Sequence, residues 1–126
     1  MEGLYVRFKN YKNDFTKYEE TKHFYSLKDL KNYLIREIDE RMPRRTSVWW
    51  KNPIGAYQEK GINHGWVSID RRDNSIYSLW VQEIRTDSNV IVFEKEKYCS
   101  QKVYDFLKEF HDEIETNKPI YGEIAD

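Results

Sequence analysis

The alternation of apolar and polar residues is clearest between residues 65 and 95, where it predicts three consecutive strands. The polar segments 72–74 and 86–89 separate them, and Asp and Asn in both favour tight turns. The middle segment carries apolar residues on both alternating sets, with Ile76, Trp80 and Ile84 on one and Tyr77, Leu79 and Val81 on the other. Two apolar faces are typical of a central strand. The pattern therefore predicts an antiparallel meander whose central strand needs a cover on its second face.

The remaining periodic segments predict two further strands and two helices. Leu4, Val6 and Phe8 alternate with polar residues as in a half-buried strand, and the charged segment from about 15 to 24 suits a sheet edge. Ser26 and Ser100 each precede a stripe of apolar residues at helical spacing: Leu27, Leu30, Leu34 and Ile38 in the first, and Val103, Phe106, Leu107, Phe110 and Ile114 in the second. Serine is a favoured N-cap, so we expect a helix to follow each of the two.

The predicted element order is β-β-α-loop-β-β-β-α, which is typical of an α+β fold. We expect an antiparallel sheet of about five strands with two helices packed on one face. The 126 residues have the length of a single domain, 1–126, without an internal repeat or linker. Residues 43–64 hold two of the three prolines and are expected to form a long irregular loop, in which 46–50 could form a short strand.

Composition indicates an aromatic core beneath a densely charged surface. Charged residues make up 34% of the chain and aromatic residues 16%, with a mean hydropathy of -0.92. A net charge of -1 excludes a generally basic nucleic-acid binder and a strongly acidic DNA mimic, although local patches stay open. Cys99 has no second cysteine to pair with, and no apolar stretch reaches signal-peptide or membrane-spanning length. We therefore expect a soluble, cytoplasmic protein that does not bind membranes.

The sequence contains no recognisable catalytic or metal-binding motif. His23, His64, His111 and Cys99 lack ligand spacing, so we predict no metal and no other cofactor. His111 is expected to be a solvated helix residue. Cys99 lies at a predicted helix start, where the helix dipole could lower its pKa, but a buried structural thiol fits better because no base is identifiable nearby.

Arginine and tryptophan cluster in and just before the expected loop. The predicted partner-binding residues are Arg41, Arg44, Arg45, Trp49, Trp50, Lys51 and Tyr57. Arg and Trp are enriched in protein interfaces, but they also grip phosphates and stack on bases. A third interpretation places one tryptophan in the core and covers the other. A second basic and aromatic surface, Lys9, Lys12, Lys17 and Tyr18, is interpreted as edge lysines, with nucleic-acid contact as the alternative.

These observations favour a non-enzymatic binding protein that occludes a macromolecular partner, most simply another protein. One interpretation is a bacterial or phage accessory protein that inhibits a defence nuclease or a toxin. The alternative is an RNA- or single-stranded-DNA-binding module that uses the Arg/Trp loop. A third hypothesis is a small enzyme with a cryptic site around His64, Asp70, Glu83 and Cys99. The sequence also leaves a homodimer open.

Overall fold

The computed structural model describes residues 3–11, 17–41, 54–72 and 76–116, which form seven strands and two helices. In chain order these are β1 (Leu4–Tyr11), β2 (Lys17–Phe24), α1 (Leu27–Arg41), β3 (Ile54–Glu59), β4 (Ile62–Arg72), β5 (Ile76–Thr86), β6 (Ile91–Glu94), β7 (Tyr98–Cys99) and α2 (Gln101–Thr116). All strand pairs are antiparallel. The predicted α+β class is confirmed, as is the three-strand meander, which corresponds to β4, β5 and β6.

β5 is the central strand of the sheet. β1 pairs with it along one side, from Ser78 to Thr86. On the other side two strands share it, because β4 pairs as far as Trp80 and β6 takes over from Glu83. β2 flanks β1 and β3 flanks β4. The charged β2 therefore lies at an edge, as its sequence predicts.

A β-bulge in β5 explains its two sets of apolar residues. Phe8 of β1 pairs with Val81 and Arg7 pairs with Glu83, which leaves Gln82 without a partner on β1. The extra residue switches the facing of the side chains that follow it. Leu79, Val81 and Ile84 are all buried in one core as a result. Among the described apolar side chains of this segment, only that of Trp80 lies on the opposite face, so the expected second apolar face is corrected to one tryptophan.

The two helices cover the core side of the sheet. α1 contributes Leu30, Leu34 and Ile38, and α2 contributes Val103, Leu107, Phe110 and Ile114, to the same cluster that contains the β1 residues Val6 and Phe8. An ion pair between Lys31 and Glu113 joins the helices. Neither helix in the described part of the chain is long and apolar enough to span a membrane.

Both predicted N-caps are confirmed by hydrogen bonds. The Ser26 hydroxyl oxygen accepts from the backbone N–H of Asp29 at 3.2 Å. The Ser100 hydroxyl oxygen accepts from the N–H of Val103 at 3.3 Å. Each bond satisfies a first-turn amide that has no partner within the helix.

Part of the expected irregular loop is an ordered hairpin. β3 and β4 pair from Ile54–Val67 to Glu59–Ile62 around a tight turn. The turn residues Lys60 and Gly61 have φ values of 52° and 77°, and positive φ at both central positions is the signature of a type I′ turn. The loop prediction for 43–64 is therefore wrong from residue 54 onward. The short strand predicted at 46–50 lies outside the described residues.

α2 holds this hairpin through a side chain that was expected to be solvated. Nδ1 of His111 donates to the carbonyl oxygen of Ile54 at 2.6 Å, and the ring is partly buried. The acceptor is a carbonyl, so Nδ1 carries the proton. His111 therefore has a structural contact, which corrects the expectation of a free helix residue.

Candidate functional site

The face of the sheet opposite the helices, termed the open face, has no described helix or strand packed over it. Strand register places these side chains on it: Tyr5, Arg7 and Lys9 from β1, Glu19, Thr21 and His23 from β2, Tyr57 from β3, His64, Trp66 and Ser68 from β4, Trp80, Glu83 and Arg85 from β5, Glu94 from β6, and Tyr98 from β7. The open face is therefore rich in rings and charged groups.

Tyr57, His64 and Trp66 form a packed group on the β3–β4 hairpin, termed the hairpin rings. Tyr57 stacks on His64 with ring centres 4.9 Å apart and an interplanar angle of 12°, and Trp66 is 6.3 Å from Tyr57. The Trp66 indole lies directly on the backbone of Gly55, where a Cβ would clash with it. Nδ1 of His64 donates to the carbonyl oxygen of Glu96 at 2.9 Å. These contacts hold the rings in a fixed orientation.

Trp80 lies half-buried in the middle of the open face. Its ring has the ammonium of Lys95 above it, with Nζ 3.9 Å from the ring centre. The backbone N–H of Lys95 donates to the carbonyl oxygen of Gln82 at 3.0 Å, which fixes this residue over β5. Lys9 pairs with Trp80 across the β1–β5 ladder. A cation over an indole is a favourable arrangement that also occupies one side of the ring.

Charges beside Trp80 form a mixed network. The Arg7 guanidinium lies 3.4 Å from the Glu19 carboxylate and 3.9 Å from that of Glu83. Glu83 also accepts from the Arg85 guanidinium. Both arginines thus have carboxylate partners on the same face, and positive and negative groups are interspersed among its described residues.

A second ring pair lies where β1 begins. Tyr5 and His23 have ring centres 4.7 Å apart, and Nε2 of His23 lies 2.9 Å from Oδ1 of Asp87. The backbone N–H of Gly3 donates to Oδ2 of Asp87 at 2.8 Å. The hydrogen bond from Gly3, followed by that from His23, lowers the pKa of Asp87 below its ordinary value.

Two of the predicted binding residues have side chains described on the open face. Tyr57 is 42% exposed within the hairpin rings, and Lys9 lies opposite Trp80. Arg41 ends α1, and Lys17 and Tyr18 begin β2, but their side chains lie outside the described ones. The other predicted residues, Lys12, Arg44, Arg45, Trp49, Trp50 and Lys51, lie outside the described residues.

The four residues of the enzyme hypothesis do not form one cluster. His64 and Glu83 lie on the open face, whereas Cys99 is 1% exposed in the core, where burial raises the pKa of its thiol to about 11. Asp70 lies in β4, and its side chain is outside the described ones. Among the described residues, no group of three or more His, Cys, Asp or Glu side chains is arranged to hold a metal ion.

Sequence reasoning did not select Tyr5, Trp66, Trp80 or Tyr98 as binding residues, although it placed Tyr5 on the polar side of its strand. The missing signal is strand facing, because alternation assigns Trp66 to the side opposite Val67 once β4 is recognised.

Comparison with protein-family models, with curated proteins and with solved structures returned no match to this chain. The open face must therefore be interpreted from its own chemistry.

Proposed function

We propose that this chain is a non-enzymatic domain that binds another protein through the open face and blocks the surface it covers. The observation that carries the proposal is the exposure of three tyrosines on one face of the sheet, 48% for Tyr5, 42% for Tyr57 and 44% for Tyr98. Half-buried Trp66 and Trp80 lie on the same face. Tyr, Trp and Arg are the residues that most often anchor protein interfaces.

The charge pattern supports a protein partner over a phosphate backbone. Phosphate binding needs cations that release counterions from the nucleic acid. Arg7 and Arg85 are instead committed to Glu19 and Glu83. Interspersed positive and negative groups suit a partner surface that carries both signs, and they favour specificity over broad attraction.

The fixed rings also suit occlusion. A side chain that is already held in place loses little conformational freedom when a partner covers it. Trp66 is held against Gly55 and His64 is held by the Glu96 carbonyl.

The test compares two double variants as bait in affinity capture from cells that naturally make the protein, followed by quantitative mass spectrometry. Tyr5→Ser/Tyr57→Ser alters the open face, and Arg36→Ser/Lys108→Ser alters exposed positions on the helices. We expect the control to retain the proteins captured by the wild type and the open-face variant to lose at least one of them. Circular dichroism verifies that both variants fold. Recovery of an identical set by both variants would remove the open face as the contact surface.

A single-stranded nucleic-acid module is the second candidate. Lys9 and Lys95 flank Trp80 on an antiparallel sheet face, and aromatic side chains on such faces stack bases in RNA-binding domains. Fluorescence anisotropy with labelled single-stranded RNA and DNA at low and physiological salt separates the two candidates. Salt-sensitive binding that Lys9→Gln/Lys95→Gln abolishes would favour the nucleic acid, and no binding at low salt would remove it.

A further inference from the structure

A cleft of about 250 Å³ opens at the end of the molecule where both helices begin. Its apolar walls come from Leu4 of β1, Leu27 of α1, Val92 of β6 and Val103 of α2. The two capping serines, Ser26 and Ser100, and Lys102 of α2 stand among these walls. The cleft is separate from the open face, because Leu4 and Val103 belong to the core on the helix side of the sheet.

The size of the cleft limits its occupant. Sites for drug-sized ligands usually measure about 300–1,000 Å³. A cleft slightly below that range accommodates a fragment with a short aliphatic or single-ring body. The aliphatic walls would contribute by removing that body from water.

Charge at the cleft has one sign. Lys102 is exposed and has no hydrogen-bond or ion-pair partner among the described residues. No carboxylate is among the described residues that line the cleft, and the first turn of α2 contains no acidic residue. Lys102 is therefore the one charged group among the described lining residues, and a carboxylate inside the cleft would meet no competing acid among them.

The serine hydroxyls can complement the same ligand group. Each oxygen already accepts a backbone N–H, from Asp29 in one case and from Val103 in the other. A hydroxyl that accepts in this way still has its own proton to donate. The described lining is thus mainly apolar, with two hydroxyl donors and one cation among it.

We propose that this cleft binds a small monocarboxylic acid, with its aliphatic body against Leu4 and Val92 and its carboxylate directed to Lys102. The proposal does not depend on the partner-binding function of the open face. The test has two competing results. In one, a neutral amphiphile binds as well as the acid, and in the other no small molecule binds.

The experiment titrates the full chain with sodium hexanoate and, separately, with 1-hexanol, and follows backbone amides by ¹H–¹⁵N correlation spectra. We expect saturable shifts centred on the amides of Leu27, Lys102 and Val103 for hexanoate, and weaker binding of the alcohol. Lys102→Gln should raise the Kd for hexanoate by at least about threefold, the upper part of the range for an exposed ion pair. Lys108→Gln removes the same charge from an exposed site on α2 and should leave the Kd unchanged.

Four results of the titrations would overturn the proposal. They are the absence of saturable shifts with hexanoate, equal affinity for the acid and the alcohol, an unchanged Kd in Lys102→Gln, and saturable shifts confined to residues outside the cleft. A second variant, Val92→Phe, fills the cleft and should abolish the hexanoate shifts while the remaining spectrum keeps its folded dispersion. Retention of the shifts in a folded Val92→Phe protein would likewise contradict a site at this place. None of these results changes the outcome of the capture experiment on the open face.

Discussion

Gly65 determines how closely α2 can approach the β3–β4 hairpin. A Cβ at this position would lie 2.6 Å from Cδ1 of Leu107 and 3.2 Å from the carbonyl oxygen of Gly55. Leu107 of α2 therefore packs directly against the backbone of Gly65. The Gly55 carbonyl oxygen on the neighbouring strand leaves an added methyl group little room to shift away from Leu107. Glycine is therefore required by close approach at this site.

We predict that Gly65→Ala lowers the free energy of unfolding by about 1–3 kcal/mol, the usual cost of overpacking a core. Urea unfolding of Gly65→Ala, Leu107→Ala and the double variant measures the effect and its cause. Leu107→Ala alone removes a buried side chain and should cost about 2–5 kcal/mol. Because it also makes room for the new methyl group, Gly65→Ala should cost less in that background. Simple additivity would contradict the proposed clash.

Asp87 links the turn after β5 to the start of β1 through its bonds to Gly3 and His23. These bonds favour the ionised carboxylate, so its pKa in the folded protein lies below the ordinary 3.8. The stability it contributes is fully present above pH 3.8 and is lost as the pH falls through the folded-state pKa, because the unfolded chain takes up the proton more readily.

Asp87→Asn should therefore be less stable than the wild type at neutral pH, and the difference should shrink on acidification below pH 3.8. Thermal unfolding at a series of pH values provides the measurement. Asp112→Asn is the matched control, since Asp112 is exposed and has no partner among the described residues. A difference for Asp87→Asn that stays constant with pH would show that ionisation is not its source.

The sequence misjudged residues whose role depends on what lies beside them. Gly55 was assigned to the irregular loop and Gly65 to the start of a strand, and neither was given a packing role, yet each makes space for a ring or a helix. His111 was expected in solvent, although it binds the Ile54 carbonyl. None of these partners is near in sequence, so local pattern could not identify them.

β5 combines a bulge with three strand partners, and this determines which of its side chains are buried. Leu79 and Ile84 differ by an odd number of positions, so simple alternation would place them on opposite faces. The bulge at Gln82 brings both into the core. Gln82 itself has a buried Nε2 without a hydrogen-bond partner among the described residues.

We predict that Leu79→Ala and Ile84→Ala each cost about 2–5 kcal/mol of unfolding free energy, as buried aliphatic side chains do. Gln82→Ala between them should cost less than about 1 kcal/mol, because it removes an amide that makes no described bond. Chemical denaturation of the three single variants gives the comparison. A small loss for Leu79→Ala or Ile84→Ala would place that side chain outside the core and contradict the bulged register.

Single elements were predicted most accurately where residues close in sequence determine the local structure. The α1 and α2 stripes and their serine caps needed only helical spacing and neighbouring residues. The bulge in β5 was not visible, because it depends on register with β1. β3 was missed because Gly55 and Ala56 weaken its strand pattern and Asn52-Pro53 precedes it.

The reactivity of Cys99 measures the integrity of the whole fold, because its thiol is buried in the core. Burial raises the pKa of its thiol from 9.0 to about 11, which lowers the thiolate fraction roughly 100-fold near neutral pH. We predict that iodoacetamide modifies folded Cys99 at least about 100-fold more slowly than a free thiol. The rate should rise with urea along the same transition as circular dichroism. Rapid modification of the native protein would contradict this prediction, because it would show that reagent reaches Cys99 in β7 without global unfolding.

The candidate surface of the whole molecule was only partly visible in the sequence. Tyr57 and Lys9 were selected, and the structure describes both on the open face. Trp66, Trp80 and Tyr98 lie on this face from three different strands, β4, β5 and β7. Their common face follows from the pairing of β5 with β4 and with β6, which in turn pairs with β7, and one sequence does not reveal this pairing.

The same strand order has a consequence for synthesis of the chain. β1 pairs with β5 through contacts such as Leu4 with Thr86, so its main partner is made long after it. At roughly 5–20 residues per second, the interval between the two strands lasts several seconds. During that time β2 and α1 already exist, but one edge of β1 and the apolar stripe of α1 lack their final cover. The nascent chain is therefore most prone to aggregation before β5 is complete, and distant strand pairing of this kind also slows refolding.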